Sequence, residues 1–228
     1  MKKYFSLDSI DYLLEKNFLN YDGGYFVELG GNDGINQSNT LYYERFRAWK
    51  GLMVEPILHN FFKCKINRPA SKVYCNACVS FAYKQPYVEL IYSDLMTTPY
   101  GVETDLDPER QALLGSQFLN VGEEVVRTAA LARTLDSLLR NANSPNYIDF
   151  LSLDVEGAEV EVLKGIDFKT FEFGIMCIET RDSDKIVNFL KNHGYNQKMQ
   201  IGHNLIFVHK NWHSSNFEPC ATLPVVFF

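Results

Sequence analysis

An acidic side chain stands beside a glycine-rich turn near the start of the chain. Glu28 ends an apolar run and is followed by Gly30-Gly31-Asn32-Asp33-Gly34. Glycines permit the backbone conformations of a tight turn and let a ligand approach the main chain closely. The helix expected after the turn offers free N–H groups to polar or anionic groups. A carboxylate just before such a turn suits a cationic or zwitterionic ligand, so this segment is a candidate binding site.

The glycine spacing differs from that of dinucleotide-binding proteins. Their pattern is G-x-G-x-x-G, and the glycines at positions 30, 31 and 34 do not match it. Glu28 would also lie close to the pyrophosphate of a bound dinucleotide, where two negative charges would repel each other. An NAD-dependent oxidoreductase is therefore kept only as the alternative enzyme class.

A second carboxylate follows the next predicted strand. Glu55 ends that strand, directly before Pro56. In open α/β sheets, an acid at the tip of the second strand commonly accepts hydrogen bonds from the two hydroxyls of a ribose. Together with the first turn, Glu55 predicts a nucleoside-containing ligand. A fold relative that binds such a ligand without catalysis is a second alternative.

Three further carboxylates follow a strongly apolar run, at Asp154, Glu156 and Glu159. Carboxylates at the buried end of a strand are unfavourable unless they are solvated, paired or functional. A helix N-terminus also favours acidic residues, and this explanation suits Glu159 best. Glu179 ends the next predicted strand, so we expect Asp154 and Glu179 to reach the same crevice.

These acids allow three arrangements for activating a hydroxyl group. Asp154, Glu156 and Glu179 could hold Mg²⁺ or Mn²⁺, which prefer oxygen ligands and would polarise the hydroxyl. Without a metal, Glu156 or His203 would act as a general base. In the third arrangement Asp154 instead binds an amine of the ligand. The residue types alone are compatible with all three arrangements.

The elements that position these residues alternate along the chain, which predicts a mostly parallel sheet covered by helices on both faces. Predicted strands cover 24–29, 51–56, 71–80, 86–92, 147–154, 173–180, 196–201 and 204–210. Predicted helices cover 6–19, 35–48, 57–66, 108–119, 134–142, 156–166 and 183–195. Residues 93–127 are rich in turn formers, and we expect them to form an inserted, lid-like segment that shapes the site of a second substrate.

Composition excludes several classes of function. The chain has 228 residues and a formal net charge of −6, which disfavours nucleic acid as the main partner. No apolar run approaches the length of a membrane span, and we read the apolar end of the tail 211–228 as docked or as a truncation. Five cysteines and no secretory signal favour reduced thiols and a cytoplasmic location. Cys75 and Cys78 would point to opposite faces of a strand, so we expect structural cysteines there.

The chain resembles the FkbM-type family of S-adenosylmethionine-dependent methyltransferases. The resemblance spans about residues 20–210 and is specific in the combination of its motifs. These are FVELGGNDGINQSNT (26–40), GLMVEP (51–56), TLDSLL (134–139), IDFLSLDVEGAEVEVLKG (148–165) and the strand end IET (178–180). One position departs from the wider superfamily, which often has glycine where this chain has Asn32.

The resemblance implies a fold and a set of binding roles. It implies one domain over 1–228 that contains a doubly wound, seven-stranded, mostly parallel sheet with a reversed last strand. It implies S-adenosylmethionine as the cofactor, with Glu28 and the backbone of 30–34 at its methionine end. Glu55, beside Pro56, would hold the ribose, and the region from Ala77 through Cys78 to Val79 would line the adenine. The expected acceptor is a hydroxyl of a sugar, a glycan or a similar small molecule; the sequence does not indicate the oligomeric state.

Overall fold

The computed structural model describes residues 4–104 and 106–212. In chain order its strands are β1 (Tyr25–Leu29), β2 (Lys50–Val54), β3 (Lys72–Tyr74), β4 (Ala77–Cys78), β5 (Tyr87–Tyr92), β6 (Thr98–Tyr100), β7 (Val126–Arg133), β8 (Tyr147–Leu153), β9 (Glu172–Glu179), β10 (Tyr195–Ile201) and β11 (Asn204–His209). Its α-helices are α1 (Ile10–Asn17), α2 (Leu41–Phe46), α3 (Leu58–Asn67), α4 (Pro108–Gly115), α5 (Leu135–Asn141), α6 (Glu159–Leu163) and α7 (Ser183–Lys191).

A seven-stranded sheet forms the centre of the described residues, in the order β3-β2-β1-β8-β9-β11-β10. The strands from β3 to β9 pair in parallel, and β11 runs antiparallel to β9. The strand order reverses between β1 and β8. These two strands pair with each other, and each is the first strand of one half of the sheet. This arrangement confirms the predicted doubly wound fold with a reversed last strand. It also places the ends of β1, β2, β8 and β9 at one edge.

Both faces of the sheet are covered, which explains why the central strands are apolar on successive residues. Val27 and Leu29 pack with α5, α6 and α7 in one apolar cluster. Phe26 lies on the opposite face and packs with α1, α2 and α3 in a second cluster. Glu28 also points to this second face, where a carboxylate needs partners within the protein.

The predicted strand 71–80 is wrong as a single element. Cys75 and Asn76 separate β3 from β4, and β4 leaves the main sheet to pair with β7. The Asn76 side chain donates a hydrogen bond to the carbonyl of Leu131, 3.0 Å away, which ties the break to β7. For the run 86–92 the sequence predicts either a hairpin or an edge strand. It forms β5, which pairs antiparallel with the next strand, β6, as a hairpin does. Both strands belong to a separate four-stranded sheet with β4 and β7, so β5 is not an edge strand of the main sheet.

Three helices are at least six residues shorter than their patterns predict, because side chains and backbone conformation stabilise loops instead. Residues 7–9 form a 3₁₀ turn before α1, with Asp8 at a positive φ of 51°. The predicted helix 35–48 is helical only over α2, and the predicted helix 156–166 only over α6. Glu156 and Gly157 have φ values of 52° and 98°, which are incompatible with a helix.

Residues 93–127 are partly ordered into short elements. They contain β6, α4 and 3₁₀ turns at Asp94–Met96 and Ser116–Phe118. Asp107 caps α4 by accepting hydrogen bonds from the backbone N–H groups of Glu109 and Arg110. Most of the tail 211–228 lies outside the described residues. Within the described part of the chain, no helix is long and apolar enough to cross a membrane.

Candidate functional site

A cavity of about 490 Å³ lies at the carboxyl ends of β1, β2, β8 and β9. The loops after these strands form one wall, and residues of the second sheet and the inserted segment form another. Its lining includes the following predicted site residues: Glu28, Gly30, Asn32, Glu55, Pro56, Ala77, Cys78, Asp154, Glu156 and Glu179. This volume is in the range of small-molecule sites. The fold therefore brings together five segments that are far apart in sequence.

The turn after β1 needs glycine because it contacts the end of β8. Gly30 has a φ of 79°, and a Cβ atom there would lie 2.0 Å from the carbonyl oxygen of Asp154. Asn32 has a positive φ of 43°, a region that asparagine tolerates better than most residues. Its backbone N–H donates to Glu55 Oε2 over 2.8 Å. The first two predicted segments are thus joined directly.

Glu55 is buried at the end of β2, with 4% of its surface exposed. Its second oxygen, Oε1, accepts a hydrogen bond from the backbone N–H of Ile57, 2.8 Å away. Burial and the charge of Asp94 raise the pKa of Glu55 and the two backbone hydrogen bonds lower it, with a net value of about 7. Each oxygen retains acceptor capacity for a further donor, and Glu55 is part of the cavity lining. The carboxylate is therefore fixed and able to accept hydroxyl groups.

The raised pKa of Glu55 gives a prediction for stability. The folded state holds the proton more tightly than the unfolded state, whose glutamate titrates near 4.5. This contribution to stability is complete below pH 4.5 and is lost as the pH rises through about 7. We expect Glu55→Gln to lose less stability than the wild type between pH 5 and 8, as measured by urea unfolding at several pH values. Equal pH dependence of the two proteins would contradict the assignment.

Glu28 lines the cavity, but its carboxylate is bound within the protein. It accepts hydrogen bonds from Ser38 Oγ at 2.9 Å, from the Asn39 backbone N–H at 3.0 Å and from Thr40 Oγ1 at 2.7 Å. Arg68 Nη1 lies 3.3 Å from it as a buried ion pair. Glu28 therefore shapes the loop 36–40, and any contact with the methionine end of a cofactor would have to share an oxygen that already has partners.

Asp33 and Gly34 do not line this cavity. Asp33 Oδ1 accepts hydrogen bonds from the backbone N–H groups of Ile35 and Asn36, both at 2.8 Å, and so closes the turn. Asp33 lines an adjoining depression instead, together with Asn36 and Lys63. Gly34 has a φ of 80° and packs against Arg68 and Cys64. Both residues maintain the turn from outside, so a direct role at the cofactor stays a prediction.

The predicted adenine region forms an apolar part of the cavity. Ala77 and Cys78 line it beside Val88 and Leu90 of β5. Burial raises the pKa of the Cys78 thiol to about 12, so the thiol is uncharged at neutral pH. Cys64, Cys75, Cys78 and Cys177 are all free thiols in the described part of the chain. Cys78 therefore contributes an apolar contact surface.

Asp154 and Glu179 form a carboxyl pair, as the neighbouring strands predict. Burial raises the pKa of Asp154 well above its ordinary value, and the negative charges of Glu179, Glu156 and Glu159 raise it further. A hydrogen bond joins the two carboxyl groups. The raised pKa means that Asp154 keeps its proton to a higher pH than an ordinary aspartate. Both side chains line the cavity.

Glu156 lies next to this pair in a strained backbone conformation, with its φ of 52°. The Gln111 side chain donates to Glu156 Oε2 over 2.7 Å. Burial and the charge of Glu179 raise the pKa of Glu156, whereas Gln111 and Arg181 lower it, and the net value is about 7. A carboxylate with a pKa near the working pH is suited to general base catalysis.

Gln111 is a site residue that the sequence reasoning missed. It lies on α4 and is 5% exposed. Only a buried polar position on an otherwise amphipathic helix could have indicated Gln111 from the sequence, and such a position does not identify the residue that Gln111 binds.

Glu159 has a structural role, because its Oε1 accepts hydrogen bonds from the backbone N–H groups of Val155 and Gly157, both at 3.1 Å.

Removing the Gln111 hydrogen bond should shift the titration of Glu156. In Gln111→Leu we expect the pKa of Glu156 to rise further, because one interaction with its charged form is lost. Activity at pH 7 should fall roughly tenfold and return at higher pH, since a tenfold change in ionisation corresponds to about 1.4 kcal/mol. ¹³C NMR of labelled glutamate measures the titration directly. The control is Gln117→Leu, whose exposed side chain binds only the Leu114 carbonyl; an unchanged Glu156 titration in Gln111→Leu would contradict the prediction.

His203 does not join the site. It occupies the exposed turn between β10 and β11, and its carbonyl accepts a hydrogen bond from the Thr180 N–H at 3.0 Å. Its side chain is not part of the cavity lining. The structure therefore leaves Glu156 as the better placed of the two predicted bases.

A metal ion is not supported by the donor set. Among the described residues, no group of three or more His, Cys, Asp or Glu side chains could hold an ion. Asp154 and Glu179 are hydrogen bonded to each other, and Glu156 is bonded to Gln111. The predicted set of Asp154, Glu156 and Glu179 thus lacks the convergence that a divalent cation needs.

Comparison with known proteins gives a match over most of the chain. The sequence profile of the methyltransferase FkbM domain matches residues 28–196. No curated protein matches significantly. Similar solved structures include a methyltransferase FkbM from Methylobacillus flagellatus, with 12% identity, a TM-score of 0.48 and coverage of 83% of this chain and 44% of that one. This chain therefore spans less than half of that protein.

Two other solved structures are similar at a lower level. One is a precorrin-6y C5,15-methyltransferase from Geobacter metallireducens, with 12% identity, a TM-score of 0.42 and coverage of 88% and 86% of the two chains. The other is a methyltransferase from Pyrococcus furiosus, with 16% identity, a TM-score of 0.39 and coverage of 86% and 80%.

Proposed function

Because the chain belongs to the methyltransferase FkbM domain family, we propose that it uses S-adenosylmethionine to methylate a hydroxyl of a sugar, a glycan or a similar small molecule. The observation that carries this proposal is the composition of one cavity. Its lining includes both Glu55 with the Gly30 turn and the acids Asp154, Glu156 and Glu179. This composition supports the proposal because the residues that would bind a nucleoside and a candidate base, Glu156, line the same cavity.

The cofactor's chemical groups suit the first of these two sets of lining residues. Glu55 would accept hydrogen bonds from the two ribose hydroxyls, and Ala77 and Cys78 would contact the adenine. Backbone groups of the turn at Gly30 would bind the methionine end, while Glu28 keeps the following loop in place. The acidic Asp154–Glu179 pair would attract the cofactor's amine or sulfonium.

The acidic residues would complete the reaction. When bound, S-adenosylmethionine supplies a methyl group attached to a positively charged sulfur. Glu156 would take the proton of the acceptor hydroxyl as the oxygen forms its bond to the methyl carbon and the carbon–sulfur bond breaks. The products would be the methyl ether, S-adenosylhomocysteine and protonated Glu156. Holding both reactants in line would supply most of the rate enhancement.

The two alternatives have less support from this geometry. A dinucleotide would need its pyrophosphate next to the buried carboxylates of Glu28 and Glu55. A non-catalytic binding protein would be favoured if the acids after β8 and β9 were consumed in ion pairs. In the described part of the chain, the ion pairs do not include Asp154, Glu156 or Glu179.

The proposal is tested by following the methyl group. We expect incubation with S-adenosylmethionine and a panel of hydroxylated metabolites to give products heavier by one methylene group, detected by mass spectrometry. These products should resist mild alkali, as ethers do and esters do not. Consumption of NAD with S-adenosylmethionine left intact would overturn the proposal.

A further inference from the structure

The cavity contains a patch of apolar side chains that the protein's own core does not use. Leu95, Met96 and Phe118 belong to the inserted segment and line the cavity. None of them is a member of the three apolar clusters of the described residues, whereas their neighbours Val88, Leu90 and Val102 pack in one of these clusters. Phe118 remains 42% exposed. Their free surface therefore faces the cavity and is available to a ligand.

This apolar patch is connected to the proposed base. Met96 packs against α4, because a Cβ atom on Gly115 would lie 2.8 Å from Met96 Cβ. Phe118 ends the 3₁₀ turn that directly follows α4. Gln111 on the same helix binds Glu156. One helix thus holds the apolar patch beside the carboxylate that would accept the acceptor's proton.

The charges of the cavity disfavour a phosphorylated acceptor. Arg181 is the one cationic side chain in the described lining, where six carboxyl groups are also found: Glu28, Glu55, Asp94, Asp154, Glu156 and Glu179. Arg68 pairs with Glu28, whereas the ion pairs in the described part of the chain include none of the other five carboxyl groups. A diphosphate group would require several cations or free N–H groups in place of these acids.

We propose that the acceptor is an uncharged amphipathic molecule. Its hydroxyl would face Glu156, and an apolar ring or chain would pack on Leu95, Met96 and Phe118. This inference rests on the proposed function and narrows it: a bare sugar leaves the patch exposed to water, and a nucleotide sugar brings phosphate to the acids. Methylation would accordingly act on a hydroxyl that is attached to an apolar group and not on a nucleotide-linked precursor.

The experiment follows tritium from [methyl-³H]S-adenosylmethionine into a small-molecule extract of the source cells. The labelled products are separated by reversed-phase chromatography. We expect the label in retained, neutral products. Label only in the unretained fraction of sugars and phosphorylated compounds would overturn the inference and leave the proposed function standing. Absence of label in any small molecule would overturn both.

Variants test whether the patch itself binds the apolar group. The substrate for this test is the unmethylated precursor of the purified labelled product. With it, Phe118→Ala should raise KM at least about tenfold and change kcat little. The reason is that an aromatic contact with the bound acceptor is lost in both the ground state and the transition state. The matched control is Leu113→Ala, an exposed apolar residue of the same segment that does not line the cavity. Equal KM values for Phe118→Ala and Leu113→Ala would contradict the role of the patch.

Discussion

Gly30→Ala is expected to abolish measurable binding of S-adenosylhomocysteine and to destabilise the protein by at least about 2 kcal/mol. The added Cβ would lie 2.0 Å from the Asp154 carbonyl oxygen, so the turn or the end of β8 must move. The positive φ of 79° adds strain for any residue with a side chain. Either movement separates the turn from Glu55 and Asp154, which are needed in one cavity. Calorimetric titration and urea unfolding measure the two effects.

Gly23→Ala serves as the matched control for this variant. Gly23 has a nearly equal φ of 78°, but a Cβ atom there meets no atom within 4 Å. It should therefore show the cost of backbone strain alone, about 1 to 2 kcal/mol, with unchanged affinity for S-adenosylhomocysteine. If Gly30→Ala behaved like Gly23→Ala, the close approach of the turn to β8 would have no functional importance.

Arg68→Met is expected to destabilise the protein by about 3 to 5 kcal/mol. Arg68 is fully buried and pairs with two buried carboxylates, Glu28 at 3.3 Å and Glu44 at 2.8 Å. It also donates to Ser38 Oγ at 3.0 Å and Thr40 Oγ1 at 2.8 Å. Without the guanidinium, both carboxylates remain buried without a countercharge, and the loop that borders the cavity loses its main anchor. Urea unfolding measures the loss.

Two further variants separate this explanation from loss of packing. Arg140→Met removes a half-exposed ion pair with Asp136, and we expect a loss of less than about 1 kcal/mol. Adding Glu44→Gln to Arg68→Met should restore part of the stability, because one unpaired charge is then removed. A loss from Arg68→Met as small as that from Arg140→Met would show that the buried network contributes little.

The sequence predicted the central sheet because its signals are local and strong. The apolar runs that became β1, β2, β8 and β9 are buried on both faces, and each ends at a glycine, a proline or an acid. Because parallel strands end at the same edge, their terminal residues Glu55, Asp154 and Glu179 were correctly expected at one crevice. The reversed last strand was predicted from the family resemblance, and the observed sheet contains it.

The second sheet and the partners of the site residues could not be predicted in the same way. β4 has two residues and pairs with β7, more than fifty positions later, so no periodic pattern marks it. The strained φ of Glu156 and its hydrogen bond from Gln111 depend on tertiary packing. Glu28 has the residue type of a ligand-binding acid, but only the structure shows that its carboxylate pairs with Arg68 and accepts a hydrogen bond from Thr40.

Calorimetric titration with S-adenosylhomocysteine, comparing the wild type with Glu55→Ala at pH 8, tests the central claim most directly. At this pH most of Glu55 is ionised and can accept the ribose hydroxyls. We predict one-to-one binding by the wild type, a loss of about 1.5 to 3 kcal/mol in Glu55→Ala, and no loss in Glu124→Ala, an exposed glutamate outside the cavity. Equal affinity in Glu55→Ala, or binding of NADH in place of S-adenosylhomocysteine, would contradict the account.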